Sequence, residues 1–252
     1  MRCATIMQFV AAAALAVTLC AASLPAHAAE SVELSVKPAD INISASYRGT
    51  VMHVEGLAPT GSEIVARFTG AAADLALRQK GKVFGLLWMN LGTVHLHNVP
   101  SVFLVASSRP LDQINGSELG LAAVRGSMQV LEQKPDSLDV PAELIKLKQQ
   151  DGLYRESTGG ITVADNGSFA VNLPIPSRLS PGAYTVEIFA LRNGSVSGSV
   201  AAPVNVRLVG MPAWIDDMAR NSSLLYGILS TLVAILGGLA IGMVFQGKGG
   251  AH

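Results

Sequence analysis

The sequence predicts a mainly β protein: an immunoglobulin-like antiparallel sandwich with a helical insertion, followed by one C-terminal transmembrane helix. Three observations predict it. Short apolar/polar alternations recur between turn signals over residues 32–83 and again over 161–209. A stretch from about 111 to 151 lacks that alternation and has helix-like spacing instead. The run from Leu224 to Phe245 contains no charged residue at all.

The elements follow in chain order. Met1-Arg2-Cys3, an apolar run from Phe9 to Leu19 and Ala26-His27-Ala28 make up the three parts of a secretory signal, with cleavage before Ala29. The apolar run is shorter than the roughly 20 residues a spanning helix needs. Cys3 and Cys20 are the two cysteines and both lie in this segment, so the mature chain would have no disulfide and no thiol chemistry. The exported body is then 29–212. In it Val32, Leu34 and Val36 alternate up to Pro38, and Ile41, Ile43 and Ala45 up to Arg48-Gly49. Val51 to Leu57 and Glu63 to Thr69 are two further strands, and Leu75 and Leu77 continue the pattern to a turn at Lys80-Gly81-Lys82. Strands this short at this spacing indicate a sandwich.

After the insertion the style returns. Ile161 to Ala164 leads into Asp165-Asn166-Gly167, an Asn-Gly hairpin signal. Phe169, Val171 and Leu173 alternate until Pro174 and Pro176. Leu179-Ser-Pro-Gly-Ala-Tyr184 feeds a strand from Tyr184 to Leu191, Asn193-Gly194 turns, and Val200 to Val209 closes the body. The Pro-Gly-x-Tyr approach to a pair of long strands fits the end of an immunoglobulin-like sandwich. Within the insertion, about 111–151, Leu111 to Met128 and Leu138 to Gln150 read as helices, the first weakened by Gly116, Gly120 and Gly126. One sandwich carrying an insertion is the reading; two small sandwiches separated by helices is the alternative.

Residues 213–223 form a juxtamembrane segment, 224–245 the transmembrane helix and 246–252 a cytoplasmic tail. Trp214 and Tyr226 sit where amphipathic rings meet an interface, and Asp216, Asp217 and Arg220 stay in water. With the body exported the tail lies inside, and Lys248 agrees with the excess of positive charge expected there. The reading is a bacterial inner-membrane protein, single-pass, with its bulk in the periplasm. Along the helix Ser230, Ala234, Gly238 and Gly242 recur every four residues. This small-residue stripe lets helix backbones approach, either in a homodimer or against an integral-membrane partner.

The stretch from Leu77 to Ile114 is the most distinctive. It contains Arg78-Gln-Lys-Gly-Lys-Val-Phe-Gly85, Trp88-Met89-Asn90, Val99-Pro100-Ser101 and Ala106-Ser-Ser-Arg-Pro-Leu111. Together with the signal, Gly152-Leu153-Tyr154 and the C-terminal helix, it resembles a family of predicted transmembrane proteins described chiefly from alphaproteobacteria. The resemblance extends over essentially the whole mature chain. It implies a periplasmic domain on one C-terminal span and an association with permeases of the sulfite-exporter type. It brings no activity, no cofactor and no catalytic residue. Read physically, Leu86, Leu87, Trp88 and Met89 are most simply a core strand, with a binding groove as the alternative.

Composition and chemistry limit the function. The chain has 18 Lys+Arg against 18 Asp+Glu, and only 14% of its residues are charged. A neutral chain has no electrostatic footprint for nucleic acid. His95 and His97, two apart on a strand, point to one face and form the candidate metal pair, with His53 as a third ligand from another strand. No carboxylate in the sequence nearby completes that set. There is no Gly-x-Ser-x-Gly elbow, no His-Glu-x-x-His and no phosphate loop. Glu156 has no evident partner. The expectation is therefore a non-enzymatic, membrane-anchored interaction protein, with metal handling through His95 and His97 as the alternative.

Overall fold

The computed structural model describes residues 32–131 and 139–246. The signal segment 1–28, the start of the second predicted helix at Leu138 and the tail beyond residue 246 lie outside the described residues. The strands are β1 (Glu33–Lys37), β2 (Asp40–Ile43), β3 (Thr50–Leu57), β4 (Glu63–Gly70), β5 (Ala72–Val83), β6 (Leu87–Pro100) and β7 (Phe103–Ser107). After them come β8 (Gln129–Leu131), β9 (Tyr154–Thr158), β10 (Ile161–Val163), β11 (Ser168–Ile175), β12 (Gly182–Arg192) and β13 (Ser195–Leu208).

Alternating apolar residues give each strand one buried face, and two sheets close on each other through those faces. One sheet has the order β1-β3-β11-β10, the other β2-β13-β12-β4-β7-β9. Early and late strands interleave: β3 pairs β11 from Leu57↔Ser168 to Thr50↔Ile175, and β4 pairs β12 from Gly70↔Tyr184 to Glu63↔Leu191. Neither half could form its sheet alone, so this is one sandwich. Met52 and Val54 of β3 and Phe169, Val171 and Leu173 of β11 meet Ile64, Ala66 and Phe68 of β4 and Val186 and Ile188 of β12 in a fully buried core. The predicted Pro-Gly-x-Tyr approach forms an immunoglobulin-type tyrosine corner. The Tyr184 hydroxyl donates to the Ser180 carbonyl at 2.7 Å, and its ring stacks on Phe68 with 5.2 Å between centroids.

Several sequence expectations need correction. The sandwich is not purely antiparallel, because β2 runs parallel to β13 and β7 parallel to β9 at the two edges of the larger sheet. Pro174 does not end its strand but pairs with Val51 inside β11. β10 covers β11 only from Phe169 to Val171, so Pro174 lies where one side of β11 is an open edge and a missing N–H is tolerated. The parallel β7–β9 pair requires a crossover, and the helical insertion is that crossover. The helix expected over Leu111 to Met128 is broken into a 3-10 turn (Ser117–Leu119) and α1 (Leu121–Ser127). Asn115 adopts a left-handed φ of 52°, and extended Gly120 separates the two pieces. A Cβ at Gly120 would stand 2.8 Å from the Glu156 carboxylate. That carboxylate accepts the Leu121 N–H at 3.1 Å, the partner for Glu156 that the sequence did not reveal.

The second helix, α2 (Val140–Gln150), is capped by Asp139, whose side chain accepts the Ala142 N–H at 3.1 Å. That bond, helped by Arg125, holds the Asp139 carboxyl below the usual carboxylate range. Leu111, Ile114, Val124 and Leu144 form a second core with Val65, Phe103, Val105 and Tyr154 on the outer face of the larger sheet. The β4–β7 region is thus buried on both faces, which is why Phe103 to Ser107 reads as a continuous buried run. Beyond Leu208 the chain becomes helical earlier than expected, as α3 (Met211–Asn221), then α4 (Ser223–Gln246).

Candidate interaction surface

β5 and β6 form a long antiparallel ribbon, paired from Ala72↔Pro100 out to Val83↔Leu87. At its root β6 also pairs β8, from His95 to His97, and Leu96 and Val99 are buried in the second core. Past Leu77↔Val94 no third strand accompanies the ribbon among the described residues. About seven residue steps of roughly 3.3 Å carry it more than 20 Å beyond that support.

Here the sequence reading fails. Leu86, Leu87, Trp88 and Met89 are not a core strand, because the ribbon outruns the body and nothing among the described residues covers them. Phe84 is 93% exposed, Leu86 84%, Trp88 69% and Leu87 65%. Lys80-Gly81-Lys82 is not the turn either; it lies within β5, and the chain reverses at Phe84-Gly85-Leu86. Phe84 has φ 52° and Gly85 φ 71°. Glycine takes that conformation freely, but a bulky aromatic there is an outlier.

Strand alternation gives the ribbon two faces. Val83, Leu87 and Met89 share the face that, at the root, carries Leu75, Leu77, Val94 and Leu96. Leu91 sits in a bulge opposite the Gln79/Lys80 step and lies across Gly81, where a Cβ would stand 2.2 Å from its Cδ1. On the other face are Arg78, Lys80 and Lys82 at spacing two. Lys82 pairs directly with Trp88 and its Nζ lies 5.4 Å from the ring centroid, a cation–π contact. No acidic residue occurs from Leu75 to Leu111. The arm is therefore cationic on one face, apolar on the other and aromatic at its end.

The histidines lie at the root. His95 and His97 occupy the outward face of β6 on either side of buried Leu96. Nδ1 of His97 lies 2.8 Å from Oδ2 of Asp74, so a carboxylate does stand next to the pair. It is brought there by the bulge between Ala73 and Leu75, which the sequence pattern did not disclose. His53 is on β3 of the other sheet, bonded to Asn172 Oδ1 at 2.6 Å, and does not join them. Among the described residues no three of His, Cys, Asp and Glu are grouped closely enough to hold a metal ion.

At the other end of the chain α3 is amphipathic, with Met211, Trp214 and Ile215 exposed together on one side and Asp216 paired to Arg220 at 2.9 Å. α4 is apolar over Ser223–Phe245, long enough to cross a membrane and buried nowhere against the body. Two of its hydroxyls are satisfied internally: Ser230 and Thr231 both donate to the Gly227 carbonyl, at 3.0 and 2.8 Å. The family described as "Putative transmembrane protein (Alph_Pro_TM)" matches residues 31–247. The chain belongs to this family. No curated protein matches it.

In this Alph_Pro_TM chain the matched region takes in the sandwich, the arm, α3 and the span together. Ser230, Ala234, Gly238 and Gly242 do fall at four-residue steps on α4, and a Cβ at Gly238 or Gly242 would meet nothing within 4 Å. The stripe is open. The candidate contact residues that sequence reasoning missed are the exposed apolar side chains of the arm's outer end. A signal for them was present in the acid-free run from Leu75 to Leu111, but the contiguous apolar run Leu86-Leu87-Trp88-Met89 reads most simply as core.

Proposed function

We propose that this Alph_Pro_TM protein is a non-enzymatic accessory protein that works by contact at a membrane. α4 anchors it in the bacterial inner membrane, the sandwich stands in the periplasm and the tail lies in the cytoplasm. The observation that carries this reading is the outer end of the β5–β6 arm, where Phe84, Leu86, Leu87 and Trp88 stand exposed together. Fully burying side chains of this kind is worth about 1.5–3 kcal/mol each, so the chain leaves a large favourable term to be collected outside itself. The arm is the contact element of the exported body. The open stripe at Ser230, Ala234, Gly238 and Gly242 is the contact element within the bilayer, for an integral-membrane partner such as the sulfite-exporter-type permease that the family resemblance suggests.

The test is purification of the full-length chain from native membranes in mild detergent, with mass spectrometry of what accompanies it. A stoichiometric integral-membrane protein, lost in the Gly238→Leu, Gly242→Leu variant while the body stays folded, is the expected result. Recovery of the chain alone contradicts the partner. Both glycines have open space around them, so leucine there reports on association rather than on folding.

A second reading is favoured by one contact. Asp74 beside His97 can fix the imidazole and leave its other nitrogen outward, the arrangement used behind metal ligands. Metal handling at His95 and His97 predicts stoichiometric metal in tag-free protein and its loss in the His95→Ala, His97→Ala variant.

A further inference from the structure

We propose that the outer end of the β5–β6 arm inserts into an anionic phospholipid surface, so that the body touches the same membrane its span crosses. The proposal rests on the reading of the arm as the contact element and names what it contacts. Four observations point to lipid. First, the exposed apolar group is at the extreme end of a projecting ribbon, Phe84 to Met89. A convex tip of large side chains suits penetration between headgroups better than a flat face suits another protein. Second, Arg78, Lys80 and Lys82 line one face just behind that tip, and no carboxylate pairs with them among the described residues. No acidic residue is present from Leu75 to Leu111 in a chain that is neutral overall. The local charge complements a negatively charged headgroup layer.

Third, Trp88 stacked under Lys82 places an amphipathic ring and a snorkelling ammonium together, the pair favoured at membrane–water interfaces. Fourth, the bilayer is never far. Only Val209 and Gly210 separate β13 from α3, and α3 leads into the span. The tether makes arm–lipid contact intramolecular in effect, so a few apolar side chains suffice where a free protein would need more. Phe84 held at φ 52° with its ring in solvent is a strained placement that no contact among the described residues offsets.

The test uses the full chain in nanodiscs containing acyl-brominated lipid, which quenches tryptophan within the hydrocarbon. The chain has two tryptophans. The Trp214→Phe variant leaves Trp88 as the reporter, and the Trp88→Phe variant leaves Trp214, beside the span, as the check that the chain is inserted. In discs containing phosphatidylglycerol, Trp88 emission should shift to the blue and be quenched by the brominated lipid. Quenching should fall in phosphatidylcholine discs, at high salt and in the Arg78→Glu, Lys80→Glu variant, which spares the Lys82–Trp88 contact. Trp88 emission unaffected by bromine in discs that quench Trp214 overturns the proposal. If Trp88 is then open to aqueous acrylamide, the arm is free and its role as contact element falls too. If it is shielded from both quenchers, a protein surface covers it and only the lipid assignment falls.

Discussion

One ribbon contains two opposite environments. At its root β6 places Leu96 in a core where it is completely covered; nine residues back along the same strand, in the same alternating style, Leu87 stands two-thirds in water. Both belong to the ribbon's apolar face. What differs is the neighbour: α1, α2 and the outer face of β4 and β7 lie against the root, and nothing among the described residues lies against the end. Alternation reports which side of a strand is apolar. It does not report whether anything is there to pack on it.

The largest test of that contrast is a matched truncation. Leu96→Ala should destabilise the body by about 2–5 kcal/mol, since it opens a cavity in a closed core. Leu87→Ala should change stability by less than about 0.5 kcal/mol, as exposed substitutions do. Denaturant unfolding of the full chain in detergent, followed by near-UV circular dichroism, measures both. Equal losses would mean that the arm's end is covered by something in solution.

The same contrast explains how much of the molecule is legible in its sequence. The sandwich is readable because its strands answer to short-range rules: alternation, Asn-Gly at 166–167 and 193–194, and the Tyr184 corner. The span is readable because a charge-free apolar run of bilayer length suits a hydrocarbon environment and little else. The broken helix at Gly120 is only half readable, because its cause is Glu156, thirty-six residues away in sequence and delivered by a parallel strand. The pairing of Asp74 with His97 depends on a bulge that skips one residue on β5 and two on β6. The arm is misread for a reason of length. β5 and β6 are 12 and 14 residues long, well beyond the usual five or six. β13 is as long but stays paired to β12 inside the larger sheet. Beyond their root β5 and β6 pair only with each other among the described residues, so their length carries them out of the sandwich. A turn placed at Lys80-Gly81-Lys82 hides that length by cutting the ribbon short.

A smaller effect should appear where the ribbon is fastened. The buried Tyr154 hydroxyl donates to the Pro100 carbonyl at 2.8 Å, tying the last residue of β6 to β9. Its ring meets Phe103 edge-on at 6.2 Å. Tyr154→Phe keeps the packing and leaves that carbonyl without its partner, a loss of about 1–2 kcal/mol. Burial also pushes the Tyr154 hydroxyl well above its ordinary value of 10. The native state therefore keeps a proton that the unfolded chain releases. The stability tied to this group is fully present below pH 10 and drains away as pH rises beyond it towards the native value. Tyr184 and Tyr47 are shifted the same way, also by burial. Alkaline unfolding should begin in the wild type as pH passes about 10, and the Tyr154→Phe variant should lose less stability over the same rise. An identical alkaline slope in the two proteins would show that this hydroxyl titrates normally.

The smallest effect belongs to the arm's end. A ribbon of two strands has little to hold it straight, and Lys82 over Trp88 is one of the few contacts available there. An exposed cation–π pair is worth about 0.5–1 kcal/mol. Because the outer ribbon has no part in either core, removing that contact should be felt only locally. In Lys82→Ala the amides of Val83 to Met89 should exchange faster with solvent, by up to about fivefold for 1 kcal/mol. Amides of β3, β11 and β12 should keep their wild-type rates, and the global unfolding midpoint should stay in place. Faster exchange throughout the sandwich would mean that the arm is energetically part of the body. Its exposed end would then be a strained extension of the core rather than a surface the fold holds out for contact.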